Sequence, residues 1–174
     1  VVLNSNGNLL NYENAVELIR AGLDGIFVGI DAFRKETYEK FRVGGDLEKV
    51  TKGVLDYRKA LSQFGNGKQQ VFVQYVEMDE NRAELPDCIR FWKGHSVQVK
   101  VRPMVSWAGK ATAANLVETA ERLPCFWAMN TINITDNGLV CLCAVDLDRQ
   151  VVMGDLNTQT IEEVWNGTLK EFRQ

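Results

Sequence analysis

Short apolar runs alternate with helical periodicity through the first 104 residues, and that alternation restricts the fold more than any other feature. Val1 to Leu3 reads as a strand ending at Asn6-Gly7, and Tyr12, Ala15, Val16 and Ile19 then keep helical spacing up to Gly22. Ile26-Phe27-Val28 and Ile30 form a buried-type strand ending at Asp31, and Lys35 to Phe41 a short helix broken by Gly44-Gly45. Asp46 is placed to cap a longer helix on which Leu47, Val50, Val54, Tyr57, Leu61 and Phe64 recur at three- and four-residue steps, ended by Gly65-Asn66-Gly67. A third strand runs from Val71 to Val76. Pro86 suits the first turn of a helix holding Cys88, Ile89 and Trp92, and Val97, Val99 and Val101 alternate as a fourth strand stopped by Pro103. Strands separated by helices need crossovers, and right-handed crossovers give a parallel sheet with helices outside. The expected fold class is therefore α/β.

The pattern changes after this region. Residues 105–124 read as a linker with a helical stretch from Ala111 to Arg122. Ile132 and Ile134 face Val140 and Leu142 across Asn137-Gly138, a hairpin pattern. Gly154-Asp155-Leu156-Asn157 reads as a loop. Thr160 and Glu163 make a capping box, and Ile161, Val164, Trp165 and Phe172 the face of one final helix. Three segments are expected: 1–104, the linker 105–124, and an extension over 125–174.

Composition removes several classes of function. A net charge of −3, without a basic stripe, argues against a nucleic-acid surface. No apolar run approaches the roughly 18 residues that span a bilayer, and Val1-Val2-Leu3 leading into Asn4-Ser5-Asn6-Gly7 is not a signal peptide. Four cysteines in 174 residues do not form a secreted disulfide framework. They point to a reducing, cytoplasmic setting with free or metal-binding thiols.

Two groups of residues carry candidate chemistry. Cys125 is followed by twelve residues and Gly138, then by four residues and Cys143, with Cys141 two positions earlier. A hairpin there gathers thiols, as an iron–sulfur or a zinc site requires. Cys141 and Cys143 would share one face of a strand. Cys88, on an apolar helix face, reads as a core thiol, and His95 as a surface residue. The second group sits at strand ends, which form the active face of parallel β/α folds. There the Asp31 carboxylate is placed either to bond a ribose hydroxyl or to cap the next helix. Gln74 alternates with apolar neighbours and would face either the lumen side of the sheet, which would make it a pocket residue, or a helix.

The chain resembles radical S-adenosylmethionine (SAM) enzymes with a C-terminal SPASM-type extension. The resemblance rests on Leu3-Asn4-Ser5-Asn6-Gly7, on Gly22-Leu23-Asp24 leading to Ile30-Asp31-Ala32, on Glu36 to Gly45, and on Val73 to Met78. Trp107-Ala108-Gly109, Pro124-Cys125, the Gly138 to Cys143 step, Asp146, and Ile161 to Gly167 complete it. It implies half of a six-stranded partial β/α barrel. It further implies a 4Fe-4S cluster and SAM in the parent protein, used to form a 5′-deoxyadenosyl radical that modifies a peptide, protein or glycan substrate, with an electron donor as partner. By the same resemblance Asn6, Asp31, Arg42 and Gln74 would bind SAM, with Arg42 neutralising its methionine carboxylate. Gly29 stands where the family carries a serine. Cys125, Cys141 and Cys143 would hold an auxiliary cluster.

The sequence contains no C-x₃-C-x₂-C loop. The expectation is thus a piece of a longer protein, with earlier strands beside the first one and a truncated extension, inactive by itself. Two alternatives stay open: a non-catalytic binding module from a truncated paralogue, and a small zinc-stabilised domain.

Overall fold

The structure, a computed structural model, describes residues 1–107 and 124–174. The helix expected from Ala111 to Arg122 lies outside them. The chain divides into two compact units, Val1–Met104 and Val105–Gln174.

In the first unit, strands β1 (Val2–Ser5), β2 (Gly25–Gly29), β3 (Gln70–Glu77) and β4 (Gln98–Pro103) form one sheet in the order β1-β2-β3-β4. Every pairing is parallel. Helices α1 (Tyr12–Arg20), α2 (Lys35–Phe41), α3 (Leu47–Phe64) and α4 (Leu85–Gly94) supply the crossovers. Asn11 and Asp46 start α1 and α3 by accepting the N–H groups of Asn14 and Lys49. One face of β2 and β3 is buried. Ile26, Val28, Val71, Val73 and Tyr75 pack there with Val50, Val54, Tyr57 and Ala60 of α3 and with Cys88 and Trp92 of α4. The periodicity of α3 thus marks its buried stripe, except at Phe64, which is exposed. On α4, Ile89 is likewise exposed.

The Tyr57 hydroxyl is buried without a hydrogen-bond partner among the described residues, and burial pushes its pKa up. An unsatisfied buried hydroxyl is a net cost. Tyr57→Phe is expected to leave stability unchanged or raise it by up to about 1 kcal/mol, read by urea denaturation.

The opposite face of the sheet carries side chains from alternate positions. Phe27 and Phe72 stack there with centroids 4.6 Å apart.

The second unit holds α5 (Phe126–Asn130), an antiparallel sheet of β5 (Asn133–Ile134), β6 (Leu139–Cys141) and β7 (Val152–Asp155), and helices α6 (Ile161–Asn166) and α7 (Thr168–Phe172). Val140, Met153, Val164 and Leu169 form its core. The β5–β6 turn closes over Asp136-Asn137-Gly138. Gly138 sits at φ +85, and Thr135 exchanges backbone bonds with Gly138 and Leu139, the arrangement of a three-residue hairpin loop.

The structure departs from the sequence pattern at three places in this unit. Gly154 and Asp155 belong to β7 rather than to a loop, because β6 supplies a pairing partner. The final helix is two helices divided at Gly167, whose backbone (φ −96, ψ −111) leaves the helical region. Leu169 is buried as a result, while Ile161 and Phe172 are exposed. Finally, Cys141 ends β6, next to a register irregularity at Val140/Cys141. The shared strand face expected for Cys141 and Cys143 therefore has no strand to carry it.

Candidate functional site

A cavity of about 250 Å³ opens at the C-terminal half of the first unit's strands, lined by Asn4, Ser5, Asn6, Phe27, Gly29, Arg42 and Gln74. It brings together Asn6, Arg42 and Gln74, three residues distant in sequence. Asn6 follows β1 and precedes Gly7, which turns the chain at φ +76. A Cβ at residue 7 would fall 2.8 Å from side-chain atoms of both Val28 and Val50, so the turn requires glycine on two counts. Asn6 Oδ1 accepts the Asn8 N–H at 3.0 Å, and its amide NH₂ has no partner among the described residues. Gln74 Oε1 accepts from Arg102 Nε at 3.0 Å, which commits its oxygen and leaves its NH₂ as a donor.

Asp31 lies just past the end of β2, in the left-handed region at φ 57, which aspartate tolerates better than most residues. It is buried, and both carboxylate oxygens are engaged within the protein. Oδ1 accepts the Val76 N–H at 2.7 Å, and Oδ2 accepts from Arg42 Nη2. The Asp31 carbonyl accepts from Asn81 Nδ2 at 2.8 Å. Asn81 is fully buried; its Oδ1 accepts the Met78 N–H and its backbone carbonyl the Tyr75 hydroxyl. Asp31 is thus a clamp on Arg42 rather than a free carboxylate.

Gly29 explains how Arg42 reaches this position. A Cβ built at residue 29 would lie 2.6 Å from Arg42 Nη2. Any larger residue pushes the guanidinium aside, so the missing side chain at 29 and the extended arginine are one arrangement.

Nor does Asp31 cap the helix that follows it. The N-terminus of α2 is held by Glu84, which accepts the N–H groups of Phe33 and Arg34, each at 2.8 Å, and the Thr37 hydroxyl at 2.5 Å. Burial pushes this carboxyl up. The Thr37 and backbone bonds, with the Arg34 charge, outweigh it and hold the pKa below the ordinary value. A depressed folded-state pKa stabilises above the unfolded value of about 4.3 and loses that contribution as pH falls through the folded value. Glu84→Gln is expected to cost about 1–2 kcal/mol at neutral pH and little in strongly acid solution, once pH has fallen through the depressed folded-state value. Parallel denaturation series at neutral and strongly acid pH would show it.

The thiols are arranged differently. Cys88 is buried, and burial pushes its pKa up to about 12, which keeps it a protonated core thiol. Cys125 is exposed at the start of α5, Cys143 is half-buried after β6, and Cys141 is buried beside Val140. Among the described residues, no three Cys, His, Asp or Glu side chains approach closely enough to hold a metal ion. A closed three- or four-ligand centre is therefore not assembled from them. Arg173 organises the segment after Cys125. Its guanidinium donates to the Ala128 and Thr131 carbonyls at the end of α5 (3.3 and 3.2 Å) and lies over the Trp165 ring at 3.9 Å. Beyond Cys143, Asp146 accepts the N–H groups of Gln150 and Val151.

Comparison with known proteins bears on both units. A family model described as SPASM, an iron–sulfur cluster-binding domain, matches residues 125–174. A probable GTP 3′,8-cyclase of Methanococcus maripaludis is 36% identical over 86 residues, which is 49% of this chain and 26% of the relative. SuiB of Streptococcus suis, solved with its precursor peptide SuiA, superposes with a TM-score of 0.73 at 10% identity, over 99% of this chain and 49% of SuiB. The protein anSMEcpe, solved with AdoMet and a Kp18Cys peptide, gives 0.64 at 12% identity, over 98% of this chain and 58% of its own. The chain spans about a quarter of the curated relative and about half of these solved chains. By these matches the chain shares the fold of SuiB and anSMEcpe over nearly its whole length, and its residues 125–174 are similar to the SPASM iron–sulfur cluster-binding domain.

Proposed function

We propose that this chain is the SAM-binding sheet end and SPASM extension of a radical SAM oxidoreductase that modifies a peptide. One observation carries the reading: the amides of Asn6 and Gln74 and the guanidinium of Arg42 converge on one cavity at the strand ends. That set is rich in donors and suits the carboxylate and hydroxyl acceptors of SAM. Arg42 meets the methionine carboxylate, and Asp31 holds Arg42 in place. A peptide substrate is favoured because SuiB and anSMEcpe were both solved with peptides.

Cys125 and Cys143 are the accessible thiols for an auxiliary cluster, with Cys141 behind them, and further ligands come from outside the described residues. The SPASM match favours iron–sulfur over zinc here. When bound, the catalytic cluster supplies the electron that cleaves SAM. Its C-x₃-C-x₂-C loop is not among these 174 residues, so the activity belongs to a longer polypeptide.

The full-length protein, reconstituted anaerobically with iron and sulfide and then reduced, should release 5′-deoxyadenosine from SAM. Intact cluster absorption without that product contradicts the reading.

A further inference from the structure

The sheet face that carries the cavity also carries unneutralised positive charge. Lys100 and Arg102 are alternate residues of β4 and project from one face, about 7 Å apart along the strand. Each is laid over a ring of the phenylalanine stack: Lys100 Nζ stands 5.1 Å from the Phe72 centroid, and Arg102 Cζ stands 6.0 Å from that of Phe27. Neither has a carboxylate partner among the described residues. The positions on this face, every second residue from Val2, Gly25, Gln70 and Gln98, include no Asp or Glu.

Placing two cations side by side without a counter-charge costs energy, and the rings offset part of it while limiting their freedom. Arg102 spends its Nε on Gln74, which leaves its two Nη groups as a fork for an oxyanion. Because Gln74 also lines the cavity, that fork stands beside the proposed SAM site.

We infer that Lys100 and Arg102 form a subsite for an oxyanion, carboxylate or phosphate, carried by the substrate. This names the substrate class for the function proposed above and rests on it. The substrate is anionic near the atom to be modified, and its charge docks on β4 while SAM occupies the cavity. The site binds more weakly as salt rises, since both cations face solvent.

The test measures equilibrium binding to the full-length protein by calorimetry, with three probes: a glutamate-containing peptide, its glutamine analogue, and pyrophosphate. The inference expects one or both anionic probes to bind, the neutral analogue at least tenfold more weakly. Lys100→Gln/Arg102→Gln should weaken anion binding by roughly tenfold to a hundredfold, and Lys100→Arg/Arg102→Lys should restore most of it. Preference for the peptide assigns a carboxylate, and preference for pyrophosphate a phosphate. SAM affinity of the single variant Lys100→Gln, which keeps the Arg102–Gln74 bond, should stay within about twofold. If wild-type protein binds the anionic probes through these residues but not SAM, the function proposed above fails and the subsite stands. If the double Gln variant binds anions as tightly as wild type, or only aggregates more readily because β4 has lost its edge charges, the subsite is overturned.

Discussion

Asp31→Ala should destabilise the chain by roughly 3 kcal/mol. Two costs combine. The half-buried Val76 N–H loses its acceptor, worth about 1–3 kcal/mol, and alanine at φ 57 adds about 1–2 kcal/mol of backbone strain. The ion pair with Arg42 contributes little to this sum, because the arginine side chain is 35% exposed and water resolvates it. Asp31→Asn separates the two roles. Asparagine tolerates the left-handed backbone and can still accept from Val76, so it should cost only about 1 kcal/mol. It removes the charge that holds Arg42 and should therefore weaken SAM binding in a protein that remains folded. Urea denaturation of both variants, with SAM titration of the asparagine variant, reads the two effects apart. Equal stability losses in both would mean that the charge, and not the backbone bond, fastens the end of β2.

The second large effect concerns the thiols. In the full-length protein reconstituted with iron and sulfide, Cys125→Ser and Cys143→Ser should each remove the auxiliary cluster, a loss of about four irons per chain with its share of the absorbance near 400 nm. Cys88→Ser should keep the iron and lose stability instead, since it places a hydroxyl in the core beneath α4. Iron content unchanged in both of the first two variants would exclude them as ligands. A bound zinc in place of iron would revive the reading of a small zinc-stabilised domain.

The sheet was legible from periodicity because β2 and β3 are buried on one face and the helices carry clear apolar stripes. Ile26, Val28, Val71 and Val73 occupy the core that their pattern implies. The second unit was less legible because its elements are short and depend on one another. The strand Val152–Asp155 contains the turn-type pair Gly154-Asp155 and forms only against Leu139–Cys141. The five residues of α5 include the exposed Phe126 and Trp127, so they show no apolar stripe.

At the candidate site, the cavity gathers Asn6, Arg42 and Gln74, candidates offered by a strand end, a helix end and an alternating strand position. The residues that position them could not be named from the sequence. Asn81 reaches the Asp31 carbonyl across 50 positions of sequence, and Glu84 reaches Phe33 across 51. No local pattern records such bonds. Reading Asp31 as a helix cap failed for the same reason: its partners in the protein are Val76, brought in by the β2–β3 pairing, and an arginine admitted by the absence of a side chain at Gly29.

The central claim is that the clamped guanidinium at the strand ends holds SAM. Equilibrium SAM binding to anaerobically reconstituted full-length protein, wild type against Arg42→Ala, tests it most directly. Loss of a charge-assisted hydrogen bond predicts affinity weakened by roughly tenfold to a hundredfold, with cluster absorbance unchanged. Affinity within twofold of wild type would contradict the account.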